Sequence, residues 1–155
     1  MTEYTADQVL QGIQEWAEQL YQAATQKVEV ALHGGRFTLA DLKRYATADR
    51  ACRIALEGLR FEVTGRGELI ATAQAVVVLL AGDNGKKGAR ALNVLQVASV
   101  LQAALPASRC GLELQDSINA KDVRSANLYS AALDTAGTAG WVITWPVKFH
   151  HPRVR

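Results

Sequence analysis

Cysteine is scarce in this chain. Its 155 residues hold two, Cys52 and Cys110, which provide no disulfide framework and suit a reducing compartment as free, buried thiols. A strong charge of either sign is also missing. The formal net charge of +2 is too small to point to nucleic acid or an anionic membrane as the main partner. Long apolar runs are absent as well: the most apolar one, Ala75–Ala81, falls far short of the ~20 residues a spanning helix needs. The first residues, MTEYTADQV, are polar and acidic, unlike a secretory leader. A soluble, intracellular protein is therefore expected. There are no repeats, no low-complexity segment and no Pro/Gly/Ser-rich linker. The length suits one domain with a real core, expected over 1–149, with a basic, frayed tail at 150–155.

What is present is a clear order of elements. Thr5 is a good N-cap, Gln8 completes a capping box, and Tyr4 and Val9 occupy the staple positions. Val9, Ile13, Trp16, Leu20 and Ala24 then recur at helical spacing, predicting a helix over Thr5–Gln26. Val28–Leu32 alternates into a short strand that stops at Gly34 and Gly35. Thr38 caps a short helix, Leu39–Tyr45. Cys52–Val63 alternates with a one-residue phase slip at Gly58, the mark of a bulge. Gly65–Gly67 turns the chain into Glu68–Ala81, and the two strands are expected to pair as a hairpin. A second long helix is predicted over Lys87–Leu105, apolar around most of its circumference and stopped by Pro106. Leu112–Ile118 reads as a strand, Asn119–Ala126 as a polar connection, and the chain closes with a C-terminal strand pair. Hairpins dominate this order. That predicts an α+β fold: a small, mostly antiparallel sheet with two main helices packed against it.

The candidate chemistry is thin. Leu79–Lys87 runs from an apolar strand through a glycine-bearing loop to lysines and a helix, the layout in which backbone N–H groups and a helix N-terminus cradle phosphate. The required G-x-x-x-x-G-K-[ST] spacing fails, because Leu80 stands where the first glycine belongs and Lys87 where the magnesium-binding hydroxyl belongs. A small enzyme binding nucleotide or nucleic acid through Gly82–Lys87 is the alternative from a different functional class. The plainer reading is a surface turn whose Asp83, Lys86 and Lys87 serve docking. His33, His150 and His151 are the only histidines. The adjacent pair points to opposite sides of an extended chain and makes a poor chelate, so no metal and no cofactor is expected. Arg36, Lys43, Arg44, Arg50 and Arg53 gather around Asp41 and Asp49, as solvated mixed pairs or as a surface facing a subunit or DNA.

The best-patterned stretch is Asn127–Trp145, NLYSAALDTAGTAGWVITW. It ends in a strand with Trp141, Ile143 and Trp145 on one face. Asn127, Leu128, Tyr129 and Ser130 form an aromatic-polar cluster upstream, and Gly137 and Gly140 form a joint. This run resembles the C-terminal part of the small tail-completion proteins of Mu-like bacteriophages. The resemblance extends to Phe37–Leu42 as the segment leading on from the first helix, to Ala71–Ala81 as the central strand, to the charged loop and helix over Asp83–Leu105, and to Cys110–Leu114 after the helix. It covers roughly Phe37 to Trp145, and it rests on order and spacing.

The resemblance implies a non-enzymatic tail terminator: a ring, expected to be hexameric, that caps the tail tube and joins it to the head-neck connector or stopper protein. DNA would pass through the lumen without sequence-specific binding. The protein would reside in the virion, after assembly in the host cytoplasm, with no membrane partner. A neighbouring neck protein, a head-side adaptor or stopper, is the alternative within this class. Residues expected at subunit or partner interfaces are Arg36, Phe37, Asp41, Arg44, Asp83, Lys86, Lys87, Asn127, Leu128, Tyr129 and Ser130.

Overall fold

Among the described residues of the computed structural model, five strands form one mixed, mostly antiparallel sheet in the order β1-β2-β3-β5-β4: β1 Glu29–Leu32, β2 Arg50–Val63, β3 Leu69–Gly82, β4 Arg124–Asn127 and β5 Thr138–His151. Among the described residues four α-helices accompany them: α1 Ala6–Ala23, α2 Leu39–Tyr45, α3 Arg90–Ala104 and α4 Ala131–Thr135. The structure describes residues 1–34, 36–45, 49–128 and 131–154, with the side chains of Leu39, Lys43, Tyr45 and Ala132 excepted. No helix among these residues is long and apolar enough to cross a membrane.

The expected α+β architecture is present. The hairpin pairs antiparallel from Arg50↔Ala81 to Val63↔Leu69, and its register shifts between Glu57 and Leu59. Gly58 sits there at φ 62°, a left-handed conformation that costs glycine little. β5 pairs antiparallel with β3 along its full length. One pairing departs from the hairpin pattern: β1 runs parallel to β2, Glu29↔Ala51 to Leu32↔Ile54. The chain between them crosses over through α2, and a crossover returns a strand parallel to its predecessor.

Both sheet faces carry apolar residues, but only one carries the main core. Ile54, Ala73, Val77, Leu79, Ile143, Trp145, Val147 and Phe149 are buried on it under α1 and α3. Helix α1 contributes Val9, Ile13, Ala17 and Tyr21, the predicted stripe. Its start is fixed by the Thr5 N–H donating to Gln8 Oε1 at 3.0 Å. It ends three residues earlier than expected, because Thr25 turns left-handed at φ 56°. The Tyr21 hydroxyl donates to the Val97 carbonyl at 2.9 Å, tying α1 to α3. On the opposite face a smaller cluster, Leu42, Ala51, Val78, Leu80 and Leu133, is covered by α2 and α4.

Four expectations need correction. Leu112–Ile118 is not a strand. Ala107, Cys110 and Gly111 adopt positive φ, and this segment bonds mainly to itself: Ala107 N–H to the Ile118 carbonyl at 2.8 Å and Ile118 N–H to the Ser108 carbonyl at 2.7 Å. Leu114 and Ile118 are anchors plugged into the core, four residues apart rather than alternating. Second, the polar connection contains a 3-10 turn, Ala120–Asp122, and the edge strand β4. Third, β5 runs through His150 to His151, so the boundary expected at 150 falls inside a strand. Arg153 beyond it donates to the Gly67 carbonyl at 2.8 Å. Fourth, α3 is not covered around its circumference: Leu92 and Leu95 are exposed.

Candidate docking surface

Segments far apart in sequence meet where β3 ends at Gly82. Asp83, the residue after that strand, caps α3. Its Oδ1 accepts from the Arg90 backbone N–H at 3.0 Å, and its Oδ2 accepts from the Arg90 guanidinium at 3.3 Å. The same guanidinium donates to Asp134 of α4 at 2.8 Å. The Arg90 backbone N–H, then that of Gly88 and the Arg90 guanidinium charge, hold the Asp83 carboxyl below the usual aspartate range. Arg90 thus ties the Asp83 loop to α4, and neither Arg90 nor Asp134 stood out in the sequence. Beside this triad lies a hollow of about 170 Å³ lined by Arg90, Ala91, Asn127, Leu128, Leu133, Asp134, Thr138, Ala139 and Gly140.

Next to Ala91 on α3 stands Leu92, 66% exposed, and one turn on stands Leu95, 43% exposed. From Ala91 to Ala104 the helix has no charged residue. Its solvent side is therefore uncharged and carries two bare leucines. The signal was legible as a run without charge, ALNVLQVASVLQAA, but a helix apolar on every side is ordinarily a buried one.

The predicted interface residues divide by what they touch. Phe37 is half-buried, stacked on His33 with ring centroids 4.1 Å apart, and packs with Leu128 against the smaller cluster. Both therefore anchor their segments from inside. Asp41 belongs to a reciprocal cap: Thr38 N–H and Oγ1 donate to its Oδ2 at 3.0 and 2.7 Å, and Asp41 N–H donates back to Thr38 Oγ1 at 3.2 Å. The Thr38 hydroxyl first, then its backbone, depress the Asp41 pKa. Arg44 donates to Asp41 Oδ1 at 3.2 Å, and His33 Nε2 lies 3.5 Å from Oδ2. Arg36, Arg44, Lys86, Lys87 and Asn127 are exposed. Tyr129 and Ser130 lie outside the described residues. The structure thus gathers the Phe37 segment and Leu128 on one cluster, and joins Asp83 to α4 through Arg90. Lys86 and Lys87 stay on the exposed turn.

Arg50 and Arg53 of the basic run serve the fold. Arg50 donates to Gln96 Oε1 at 2.9 Å. Arg53 is buried and bonds the Glu29 carbonyl at 2.8 Å and the Glu29 carboxylate. Arg50, Glu29 and Asp49 line a mixed-charge cleft of about 590 Å³ with Lys27 and Asn84. Trp145 is fully buried. Trp141 is half-buried and donates from Nε1 to Ser125 Oγ at 2.6 Å. Among the described residues no three His, Cys, Asp or Glu side chains converge as a metal site. No known protein-family model matches the chain, and no curated protein matches it at a significant level of similarity.

Proposed function

We propose that the chain is a structural assembly subunit: a phage tail terminator that closes into a ring, expected to be hexameric, between the tail tube protein and the head-neck connector or stopper. One observation carries this reading, the uncharged face of α3 with exposed Leu92 and Leu95, contiguous with the hollow lined by Asn127 and Leu128. An apolar centre beside a polar rim of Arg90, Asp134 and Asn127 has the composition of a protein interface. The order of segments that resembles Mu-like tail-completion proteins supplies the identity of the assembly. In a ring, one patch of each subunit meets a different patch of the next. The ring acts by geometry: it covers the growing end of the tube, offers another face to the head, and leaves a lumen for DNA. Its place is the virion.

The alternative enzyme reading through Gly82–Lys87 meets a specific obstacle. The position where an anion would sit at the start of α3 is taken by the Asp83 carboxylate, which accepts the Arg90 N–H.

The test is negative-stain imaging of the purified chain, alone and mixed with tail tubes. Closed rings, or rings seated on tube ends, are expected. A chain that stays dispersed in both conditions would overturn the tail-terminator reading.

A further inference from the structure

The β2–β3 hairpin reaches beyond every other strand on its outer side. β1 covers β2 only from Ala51 to Ile54, and among the described residues no strand pairs with β2 beyond that point on this side. Hydrogen bonds fix which backbone groups face the open edge. Thr64 N–H donates to the Glu68 carbonyl at 2.9 Å, so Thr64, Glu62 and Arg60 point their backbones toward β3. By strand alternation, the N–H and C=O groups of Leu59, Phe61 and Val63 point outward. The same three side chains share one sheet face and are 42%, 49% and 55% exposed. Arg60 and Glu62 are exposed on the other face, where Glu62 lies 3.5 Å from Lys148.

We infer that this edge, Leu59–Val63, binds the same edge of a second copy of the chain, forming a two-fold dimer through one continuous sheet. The sequence Leu-Arg-Phe-Glu-Val is self-complementary when paired antiparallel about Phe61. Phe61 then faces Phe61 and Leu59 faces Val63. Arg60 faces Glu62 twice, once on each side of the axis. Every outward-pointing residue meets an outward-pointing residue, so all three ladder rungs close on both strands. Directly opposed unlike charges favour such a pairing, and like charges oppose it. A natural edge is usually blunted by charge. Here the two charges have opposite sign at the spacing that attracts a copy instead of repelling it.

The β4 edge does not compete. Leu128 N–H donates to the Gly140 carbonyl at 3.0 Å, which by the same alternation leaves only Ser125 and Asn127 of β4 facing outward. They offer neither apolar contacts nor charge for β2. This pairing stands apart from the ring contact proposed above. The hairpin tip at Leu69 and the α3 surface near Gly82 lie at opposite ends of a 14-residue strand, about 40 Å apart at the usual rise per residue.

The test uses the intact chain and two variants, R60E and E62R, in sedimentation equilibrium. The wild type is expected to dimerise. Each variant alone places like charges opposite each other at both symmetric positions, weakening self-association about tenfold or more. Mixing the variants restores unlike pairs at both positions, so R60E and E62R together form a heterodimer that neither forms alone. Hydrogen exchange on the wild type gives a second readout: the amides of Leu59, Phe61 and Val63 slow as concentration rises. A wild type monomeric at high concentration, variants that dimerise as well as it does, a mixture that stays monomeric, or concentration-independent exchange would each overturn the inference. Ring formation with an unperturbed hairpin edge would leave the tail-terminator reading standing and this one refuted.

Discussion

Replacing Leu92 and Leu95 together by glutamine separates surface from core. Glutamine is nearly as good a helix former as leucine, so α3 keeps its backbone preference. Burying a leucine side chain completely stabilises by about 1.5–3 kcal/mol. Leu92 keeps 66% of its exposure in the free chain and Leu95 43%. Covering both remainders in an interface is therefore worth about 1.6–3.3 kcal/mol, roughly 15- to 250-fold in a dissociation constant. The folded monomer gives up little, since most of this surface already faces water. Stability should change by about 0.5 kcal/mol or less per site. Leu101, one face away on the same helix, is fully buried, and Leu101→Ala should cost about 2–5 kcal/mol. The assay pairs thermal unfolding by circular dichroism with sedimentation velocity in the presence of tail tube protein. The double glutamine variant should melt like the wild type and assemble poorly. If it unfolds at a much lower temperature, the two leucines support the fold. If it melts and assembles like the wild type, the α3 face is not the contact.

Two further outcomes follow from titrating groups. The Asp83 and Asp41 carboxyls are both held below their ordinary range. The unfolded chain therefore binds protons first as pH falls, and the stability these groups supply is complete above the ordinary value of about 3.9 and lost as pH drops through the lower folded values. Melting temperature measured from pH 5 to pH 2 should fall, and Asp83→Asn should flatten that slope. An unchanged slope would show that the Asp83–Arg90 pair carries no net stability. Burial pushes the thiols of Cys52 and Cys110 up to about 12 each, the latter against the opposing pull of Ser108 and Trp145. Both should resist a disulfide-exchange reagent at pH 8 in the native protein and react once it is unfolded, because the thiolate is the reactive form. Fast native labelling of either would mean that the core opens there.

The sequence by itself determined those elements whose signals are local. The capping box and stripe of α1, the Thr38 cap of α2, the Gly65–Gly67 turn and the slip at Gly58 all rest on interactions within a few residues, and each stands where the pattern placed it. The α+β class followed, since two alternating runs joined by a tight turn can hardly avoid pairing antiparallel. Tertiary structure alone decided the rest. Whether β1 lies parallel or antiparallel depends on how α2 carries the chain across a face, which no local pattern encodes. The Leu112–Ile118 segment alternates like a strand, yet it is held by the loop closure between Ala107 and Ile118. The strand β4 is four exposed residues whose only cause is the β5 edge beside them.

The candidate surface shows the same division. Asp83, Asn127 and Leu128 could be named from composition, but Arg90 and Asp134, which join them, became visible only when the chain had folded. Leu92 and Leu95 looked like core because hydrophobicity along a helix records what is apolar, not what covers it. Coverage is a property of the neighbours: α1 and the sheet take the Val94, Val97 and Leu101 side of α3 and leave the other side bare.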